Sequence, residues 1–344
     1  MLKEKITQAV LKAAEQNKVF AFADVDKSIK FPASRQYIAI VINELLDKKS
    51  LVKSGLGRWT RYALPENQDL LDNVIRRVYT NSSLEEDKVF DYFQHSATFW
   101  PKLKENVQSL ARYGFMEMVN NAIEHSGSKT IRVSVQKTDE ALIFRIRDFG
   151  VGVFRNIMAK KSLESELEAI QDLLKGKTTT APKAHSGEGI FFTSKAADLF
   201  VLESFGLQLR VNNIINDIFV EEPAGSIKGT FVVFKIGLKS KRRLGKIFEH
   251  FQSDPDELSF DRTEIKIKLF TTGTIYISRS QARRVLVGLE KFKSIIFDFD
   301  QVPTVGQAFA DEIFRVFKNR HPDIEIKAIN MNRAVEFMVK RVGK

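Results

Sequence analysis

The stretch FMEMVNNAIEHSG (residues 115–127) places three polar residues at intervals of four within a helical pattern of apolar residues. Glu117, Asn121 and His125 share one face of the predicted helix, because an α-helix has about 3.6 residues per turn. A separate apolar face is formed by Phe115, Met118, Val119, Ala122 and Ile123. Taken alone, the polar row fits either a solvated stripe or a functional site.

Three glycine-containing segments follow the polar row at the ends of predicted strands and helices. These are Asp148-x-Gly150-x-Gly152 at a strand end, Gly187-x-Gly189 before a helix, and Gly229-Thr230 at a strand start. One Gly-x-Gly is common in ordinary turns. Four separated segments in this order, each on a fitting helix or strand, are a much more specific pattern.

The four segments resemble those of the GHKL ATPases, the superfamily that includes gyrase and the histidine kinases. The resemblance covers roughly residues 106–236. It implies an α/β sandwich of the Bergerat type over residues 103–240, with ATP as the bound nucleotide and Mg²⁺ as its metal ion.

The resemblance gives each residue of the polar row a role. In hydrolysing members, the residue matching Glu117 orients and deprotonates the water that attacks the γ-phosphate; in kinase-like members it activates an acceptor hydroxyl. The residue matching Asn121 binds Mg²⁺ through its amide oxygen, a donor type that this ion prefers. His125 would either approach the phosphates or cap the helix beside Gly127.

The strand-end segment is expected to bind the base. In these ATPases the residue matching Asp148 accepts a hydrogen bond from the adenine amino group, which selects adenine over guanine. Gly150 and Gly152 let the backbone turn against the base without a Cβ, and Thr230 would hydrogen-bond near it, directly or through water. On the residues alone, an Asx turn followed by turn glycines is the alternative.

The segment Gly187-x-Gly189 is expected to bind phosphate, because the free N–H groups and the dipole of a helix start favour anions. The residues predicted to surround this helix start are Ser186, Gly187, Gly189 and Ile190. Residues 153–186 would form a lid over the nucleotide, with Lys183 and His185 as further donors. A solvated linker is the alternative for the lid residues.

Residues 1–65 resemble a winged helix-turn-helix domain, with three helical patterns followed by two short strands around a Gly-containing turn. The resemblance implies that the third helix and the wing contact DNA. The basic residues expected there are Arg35, Lys53, Arg58 and Arg61. A protein-docking module or an inert spacer is the alternative.

Residues 241–344 resemble a STAS domain, the fold of anti-sigma-factor antagonists, and most closely a STAS-like domain of unknown function that occurs fused to such ATPases in bacteria. The stretches that carry this resemblance are 277–286 and 295–314. STAS proteins are phosphorylated on a serine at the start of the helix that follows the strand matching residues 295–300. Residues 306–308 read Gly-Gln-Ala here, so the acceptor is missing and Thr304 is the nearest hydroxyl.

The patterns and resemblances together predict an α/β multidomain protein: a winged helix, a helical connector over residues 66–102, the sandwich and the STAS-like domain. The 344 residues contain no cysteine, which excludes disulfides and thiolate chemistry. A net charge of +11 favours acidic partners such as nucleotides or nucleic acid. No apolar run is long enough for a bilayer and no signal-peptide pattern opens the chain, so we expect a cytoplasmic protein without membrane contact.

The sequence leaves three functions open. The first is an ATP-dependent regulatory switch in prokaryotic signalling or defence, with a protein partner bound through the STAS-like domain. The second is a serine/threonine protein kinase of the anti-sigma type, and the third is a DNA-binding regulator with ATP only as a ligand. An ATP-dependent homodimer would fit the superfamily. A histidine kinase is excluded. In that class the acceptor histidine is followed five residues later by proline, whereas His95, the only upstream candidate, is followed by Pro101 six residues later.

Overall fold

The computed structural model describes residues 2–29, 31–54, 60–68, 74–97, 99–176, 188–252, 260–270 and 276–342. It contains a small N-terminal unit, a central unit on a seven-stranded sheet, and a C-terminal unit on a three-stranded sheet. The predicted α/β multidomain class is confirmed. Among the residues described, no helix combines the length and the apolar composition that crossing a bilayer requires.

The N-terminal unit packs three helices against a small antiparallel sheet. Its elements are α1 (Leu2–Asn17), β1 (Val19–Ala21), α2 (Phe22–Ser28), α3 (Arg35–Asp47), β2 (Val52–Ser54) and β3 (Arg61–Ala63). The Ser34 side chain caps α3 by accepting a hydrogen bond from the backbone N–H of Tyr37, as its position predicts. Strand β1 was not predicted; it pairs with β3 and buries Phe20.

The central sheet is antiparallel throughout, in the order β4-β5-β6-β10-β7-β8-β9. Its strands are β4 (Val74–Thr80), β5 (Thr130–Lys137), β6 (Ala141–Arg147), β7 (Leu199–Ser204), β8 (Leu207–Asn212), β9 (Asp217–Glu221) and β10 (Thr230–Gly237). Side chains alternate along the strands, so that Val133, Phe144 and Phe234 are buried on one face. Because Phe231 pairs with Arg147, the end of β6 lies beside the start of β10.

Helices cover the buried face of this sheet. They are α4 (Glu86–Ser96), α5 (Glu105–Glu124), α6 (Val153–Lys161), α7 (Glu166–Lys175), α8 (Gly189–Ala196) and α9 (Leu244–His250). Gly114 lets α5 approach both the sheet and α8, because a Cβ there would lie 3.0 Å from side-chain atoms of Phe234 and Thr193. This close packing fixes α5, which carries the polar row, against the start of α8.

Two predictions about the segments flanking α5 need correction. Residues 66–102 were predicted to be a helical connector, but β4 is an edge strand that sets Ile75 and Tyr79 opposite Val135 and Ile131 of β5. The β-branched and aromatic residues of VIRRVYT favour a strand, but its pattern gives no sign of its partner.

The predicted lid over residues 153–186 is also largely a packed layer. Its first part forms α6, which was not predicted, and α7; Phe154 and Ile170 are fully buried. Its last part, residues 177–186, lies outside the described residues.

The C-terminal unit has a parallel sheet in the order β11-β12-β13 with helices between its strands. Its elements are β11 (Arg262–Lys266), α10 (Arg279–Leu286), β12 (Ser294–Asp298), α11 (Gln307–Asp311), a π-helical segment (Glu312–Phe317), α12 (Lys318–Arg320), β13 (Glu325–Ile329) and α13 (Arg333–Val342). Asp298 is structural: it pairs with Lys266 and accepts hydrogen bonds from Asp300 and Asn330.

Helix α9 packs on the central unit, although the predicted boundary at residue 240 assigned it to the C-terminal one. Its Phe248 ring lies edge to face with Tyr113 of α5 at 5.5 Å and with Phe192 of α8 at 5.0 Å between ring centroids. Such aromatic pairs add to the free energy gained by burying their area. The central unit thus extends at least to His250.

A buried lysine joins the central unit to the C-terminal one. Lys175, at the end of α7, donates from Nζ to the carbonyl oxygens of Arg284 (3.3 Å) and Val287 (2.8 Å), at the end of α10. The Thr263 hydroxyl of β11 donates to the Lys175 carbonyl at 2.7 Å. Burial lowers the pKa of Lys175 to about 8, with the charge of Asp172 acting in the opposite direction. The contact is therefore polar and directional.

Replacing Lys175 by methionine should change how stability depends on pH. With a pKa of about 8 in the folded state and an ordinary value of 10.5, the folded protein releases this proton first as pH rises. The cost of burying the charge then disappears, so the stability of the wild type should rise relative to Lys175→Met by up to about 3 kcal/mol between these two pH values. Urea unfolding at both pH values measures this, and an unchanged difference would show that Lys175 is not buried.

Candidate functional site

The polar row predicted on α5 exists, and its members are half-buried. Glu117, Asn121 and His125 follow one another at single turns of the helix. The opposite side of α5 is buried through Phe115, Met118, Val119 and Ala122. The row is therefore not a fully solvated stripe.

Glu117 meets the start of α8. A Cβ on Gly189 would overlap the Glu117 carboxylate oxygen Oε2, so the glycine lets this backbone approach the acid without displacing its side chain. The first N–H groups of a helix have no partner within it. Ile190 packs its side chain against the main core, so only its backbone can serve a ligand. Two of the predicted segments are thus brought together.

Tyr113 joins Glu117 in this site, although sequence reasoning missed it. Burial raises the pKa of Tyr113, and the negative charges of Glu117 and Glu188 raise it further. The phenol therefore keeps its proton in the neighbourhood of two carboxylates. The signal was available, because Tyr113 lies four residues before Glu117 and extends the same row by one turn.

Asp148 is held rigidly at the junction of β6 and β10. Its exposed fraction is 4%. Its Oδ1 accepts hydrogen bonds from the backbone N–H groups of Gly150 (2.9 Å) and Thr230 (3.2 Å). Burial raises the pKa of Asp148, while these hydrogen bonds and the charge of Arg147 act in the opposite direction. The bond to Gly150 is the Asx turn given as the alternative. The Thr230 side chain also hydrogen-bonds to this carboxylate, whose two oxygens together keep acceptor capacity for a ligand.

The loop that ends α5 is bonded to the loop after Asp148. The Val151 N–H donates to the Ser126 carbonyl at 2.8 Å, and the Phe149 N–H donates to the Ser128 hydroxyl at 3.0 Å. A Cβ on Gly150 would overlap the Ser126 carbonyl oxygen, so this contact requires glycine. Sequence reasoning missed both serines, which position the turn; two small residues around Gly127 were their only signal.

The start of β10 closes the same junction. Gly229 has φ +81°, and a Cβ there would lie 2.5 Å from the Asp148 carbonyl oxygen. Gly152 also has φ +81° and is the N-cap residue of α6. The Thr230 hydroxyl accepts a hydrogen bond from the Val153 N–H at 3.1 Å. The predicted strand-end glycines and Thr230 therefore form one turn region around Asp148.

His125 is the C-cap residue of α5, which was one of its two predicted roles. Its N–H donates to the Asn121 carbonyl at 3.0 Å, and its own carbonyl accepts from Asn156 of α6 at 3.3 Å. Ser186 and Gly187, like Lys183 and His185, lie outside the described residues. The structure therefore does not address these four predicted phosphate contacts.

The predicted DNA-contacting residues are distributed over the N-terminal unit. Arg35 is exposed at the start of α3, with its guanidinium 5.2 Å from the Phe22 ring centroid and 3.6 Å from Asp26. Lys53 is exposed on β2, and Arg61 of β3 donates to the Thr60 carbonyl. The remaining residue, Arg58, lies outside the described residues. DNA contact stays a prediction.

The start of α11, where STAS proteins carry their serine, is tightly packed. Gly306 is its N-cap residue, and a Cβ there would lie 2.7 Å from the Cα of Ile277. Thr304, the nearest hydroxyl in sequence, is half-buried. The start of α11 therefore has no room for a side chain at residue 306.

Comparison with known families finds a similarity for part of the C-terminal unit. Residues 281–336 match the family model of a STAS-like domain of unknown function (DUF4325). The match runs from α10 into α13, and the predicted STAS-like character of this unit is confirmed. A comparison with curated proteins gave no match.

Alanine substitutions at two glycines should separate backbone contacts from side-chain contacts. In Gly150→Ala the new Cβ meets the Ser126 carbonyl, which cannot move without disturbing the α5 loop; we expect a loss of on the order of 3 kcal/mol in the free energy of unfolding. In Gly189→Ala the new Cβ meets only the end of the Glu117 side chain, so the loss should stay within about 1 kcal/mol. Equal losses in urea unfolding would contradict this geometry.

Proposed function

We propose that the central unit is a GHKL-type domain that binds MgATP, and that the protein is an ATP-dependent regulatory switch in prokaryotic signalling or defence. One observation carries the proposal: α5 contacts both other parts of the site. Its Glu117 lies against Gly189, and its C-terminal loop is bonded to the turn after Asp148. Segments that are distant in sequence thus surround one helix, in the arrangement that the resemblance implies.

The residues present fit an adenine nucleotide. Asp148 supplies a fixed acceptor for the adenine amino group, and Gly150, Gly152 and Gly229 hold the backbone close around it. The N–H groups at the start of α8 suit phosphate oxygens. The site thus offers an acceptor for the amino group of the base and donors for the oxygens of the phosphates.

The residues also fit Mg²⁺ and a general base. Asn121 would hold the metal ion through its amide oxygen; when bound, Mg²⁺ neutralises charge on the phosphates. Glu117, one turn away, would orient a water molecule and accept its proton at the carboxylate. Tyr113 stays protonated beside Glu117 and can donate a hydrogen bond to this carboxylate or to the water.

The contact between the two larger units supports a switch. Helix α7 ends at Lys175, whose ammonium holds the end of α10 in the STAS-like domain. The chain returns at Glu188, immediately before the Gly189 contact with Glu117. Lys175 and Gly189 are 14 residues apart in sequence, so the candidate nucleotide site and the contact with the STAS-like domain lie close along the chain, and a protein partner of that domain would sense a change at the site.

Asp148→Asn should abolish nucleotide binding without unfolding the protein. An asparagine can keep both hydrogen bonds at Oδ1, but it presents an amide in place of the second carboxylate oxygen. Since burial raises the pKa of Asp148, loss of the charge should leave the melting temperature unchanged or raise it. Calorimetric titration with MgATP should show binding by the wild type and at least about a tenfold loss in the variant. Equal affinity of both proteins would contradict the proposed base contact.

Glu117→Gln should bind MgATP but stop its turnover. The assay uses γ-labelled ATP. Release of free labelled phosphate by the wild type supports the switch with hydrolysis, whereas transfer of the label to protein supports the serine/threonine kinase alternative. Either activity should fall at least about a hundredfold in the variant. Glu105→Gln, an exposed acid in the first turn of the same helix, is the matched control and should keep full activity. A Glu117→Gln variant with normal turnover would refute this role.

A further inference from the structure

A basic groove of about 660 Å³ lies where the central and C-terminal units meet. Its walls come from the end of α8, the turn between β8 and β9, the segment leading into α9, and β11. Its volume is within the roughly 300–1,000 Å³ that is typical of small-molecule sites. It is separate from the site around Glu117, because Lys195 in the groove and Gly189 lie six residues apart on α8, a rise of about 9 Å.

The charges around the groove are strongly unbalanced. Its cationic residues are Lys195, Lys241, Arg242, Arg243 and Lys246, joined by His250. Glu264 is the one acid among the described residues that line it, and His250 already faces this acid with 4.0 Å between Nε2 and Oε2. The groove thus carries a net excess of positive charge that its own lining does not neutralise.

One of these cations builds the groove wall. The Arg242 guanidinium donates to the carbonyl oxygens of Lys195 at 3.0 Å and Asn213 at 2.9 Å, and pairs with Asp198 at 3.2 Å. Its charge is therefore already matched. Lys246 pairs with Glu249 at 2.6 Å, but both side chains are largely exposed and the pair is weak.

Lys195 is the half-buried cation at the inner wall of the groove. Its Nζ lies 5.4 Å and 5.9 Å from the ring centroids of Phe191 and Phe251, and among the residues described it makes no hydrogen bond or ion pair. Burial lowers the pKa of Lys195, with the charge of Glu264 acting in the opposite direction. A poorly solvated ammonium without a close anion is costly, and an anionic ligand in the groove would offset this cost.

We propose that this groove binds a small phosphorylated ligand with at least two negative charges, held by Lys195 inside and by Lys241 and Arg243 at the rim. Guanidinium and ammonium groups are the usual partners of phosphate oxygens. The aromatic rings beside Lys195 are buried, with 5% of Phe191 and 5% of Phe251 exposed, so neither offers a face on which a nucleic-acid base could stack. A discrete phosphate ligand therefore suits the groove better than a single-stranded nucleic acid.

Calorimetric titration with inorganic pyrophosphate tests the proposal on the full chain. Lys195→Met and the double variant Lys241→Ala, Arg243→Ala should each weaken binding by at least about tenfold. The matched control is Lys239→Ala, which removes a charge from the same basic segment outside the groove lining and should stay within about twofold of the wild type. Melting temperatures of all variants establish that they are folded.

Several outcomes would overturn the proposal. These are no binding of pyrophosphate, an equal loss in Lys239→Ala, or wild-type affinity in both groove variants. A single-stranded oligonucleotide that shows the same variant dependence and is not displaced by pyrophosphate would identify a nucleic-acid surface and reject the small ligand. The groove variants themselves keep this result independent of the nucleotide site: pyrophosphate bound at the start of α8 would not depend on Lys241 and Arg243, whether or not the protein binds ATP.

Discussion

The two hydrogen bonds that Oδ1 of Asp148 accepts hold the candidate site together. They connect the turn after β6 to the first residue of β10, two strands that are adjacent in the sheet but far apart in sequence. The same turn is bonded to the loop ending α5 through Ser126 and Ser128. Burying a carboxylate is unfavourable unless donors surround it. The junction of β6 and β10 supplies these donors, and the carboxylate in turn holds the two strands in register at this point.

The sequence indicated the positions of this candidate site where packing requires a particular residue type. Gly150 and Gly229 are needed because a Cβ would strike the backbone of another segment, and Gly189 because it would strike Glu117. Such steric requirements are visible in the sequence, because only a glycine satisfies them without a change elsewhere. Tyr113, Ser126 and Ser128 leave weaker signals, because a buried phenol or hydroxyl is also common where it only satisfies the backbone.

The fold was less predictable where long-range pairing decides it. Strand β4 depends on β5 for its hydrogen bonds, and α6 and α7 depend on the main core for their buried faces. The spacing of apolar residues predicts whether such a segment is a helix or a strand, but it does not predict which element the segment packs against. The boundary at residue 240 was hard to place for the same reason, because the packing of Phe248 on Tyr113 and Phe192 is a long-range contact. By contrast, the position of Ser34 directly before α3 is enough to predict its cap, because a cap is a local interaction.

Helix α8 connects the features on which both proposals rest. It begins at Gly189 beside Glu117 and ends near Lys195 in the basic groove, while the adjacent α7 holds the STAS-like domain through Lys175. A crystal structure with Mg²⁺ and a non-hydrolysable ATP analogue tests the central claim most directly. Our account predicts the adenine amino group against Asp148, phosphates at the start of α8 and the metal ion beside Asn121. An analogue bound elsewhere, or crystals grown at saturating analogue that contain none, would contradict it.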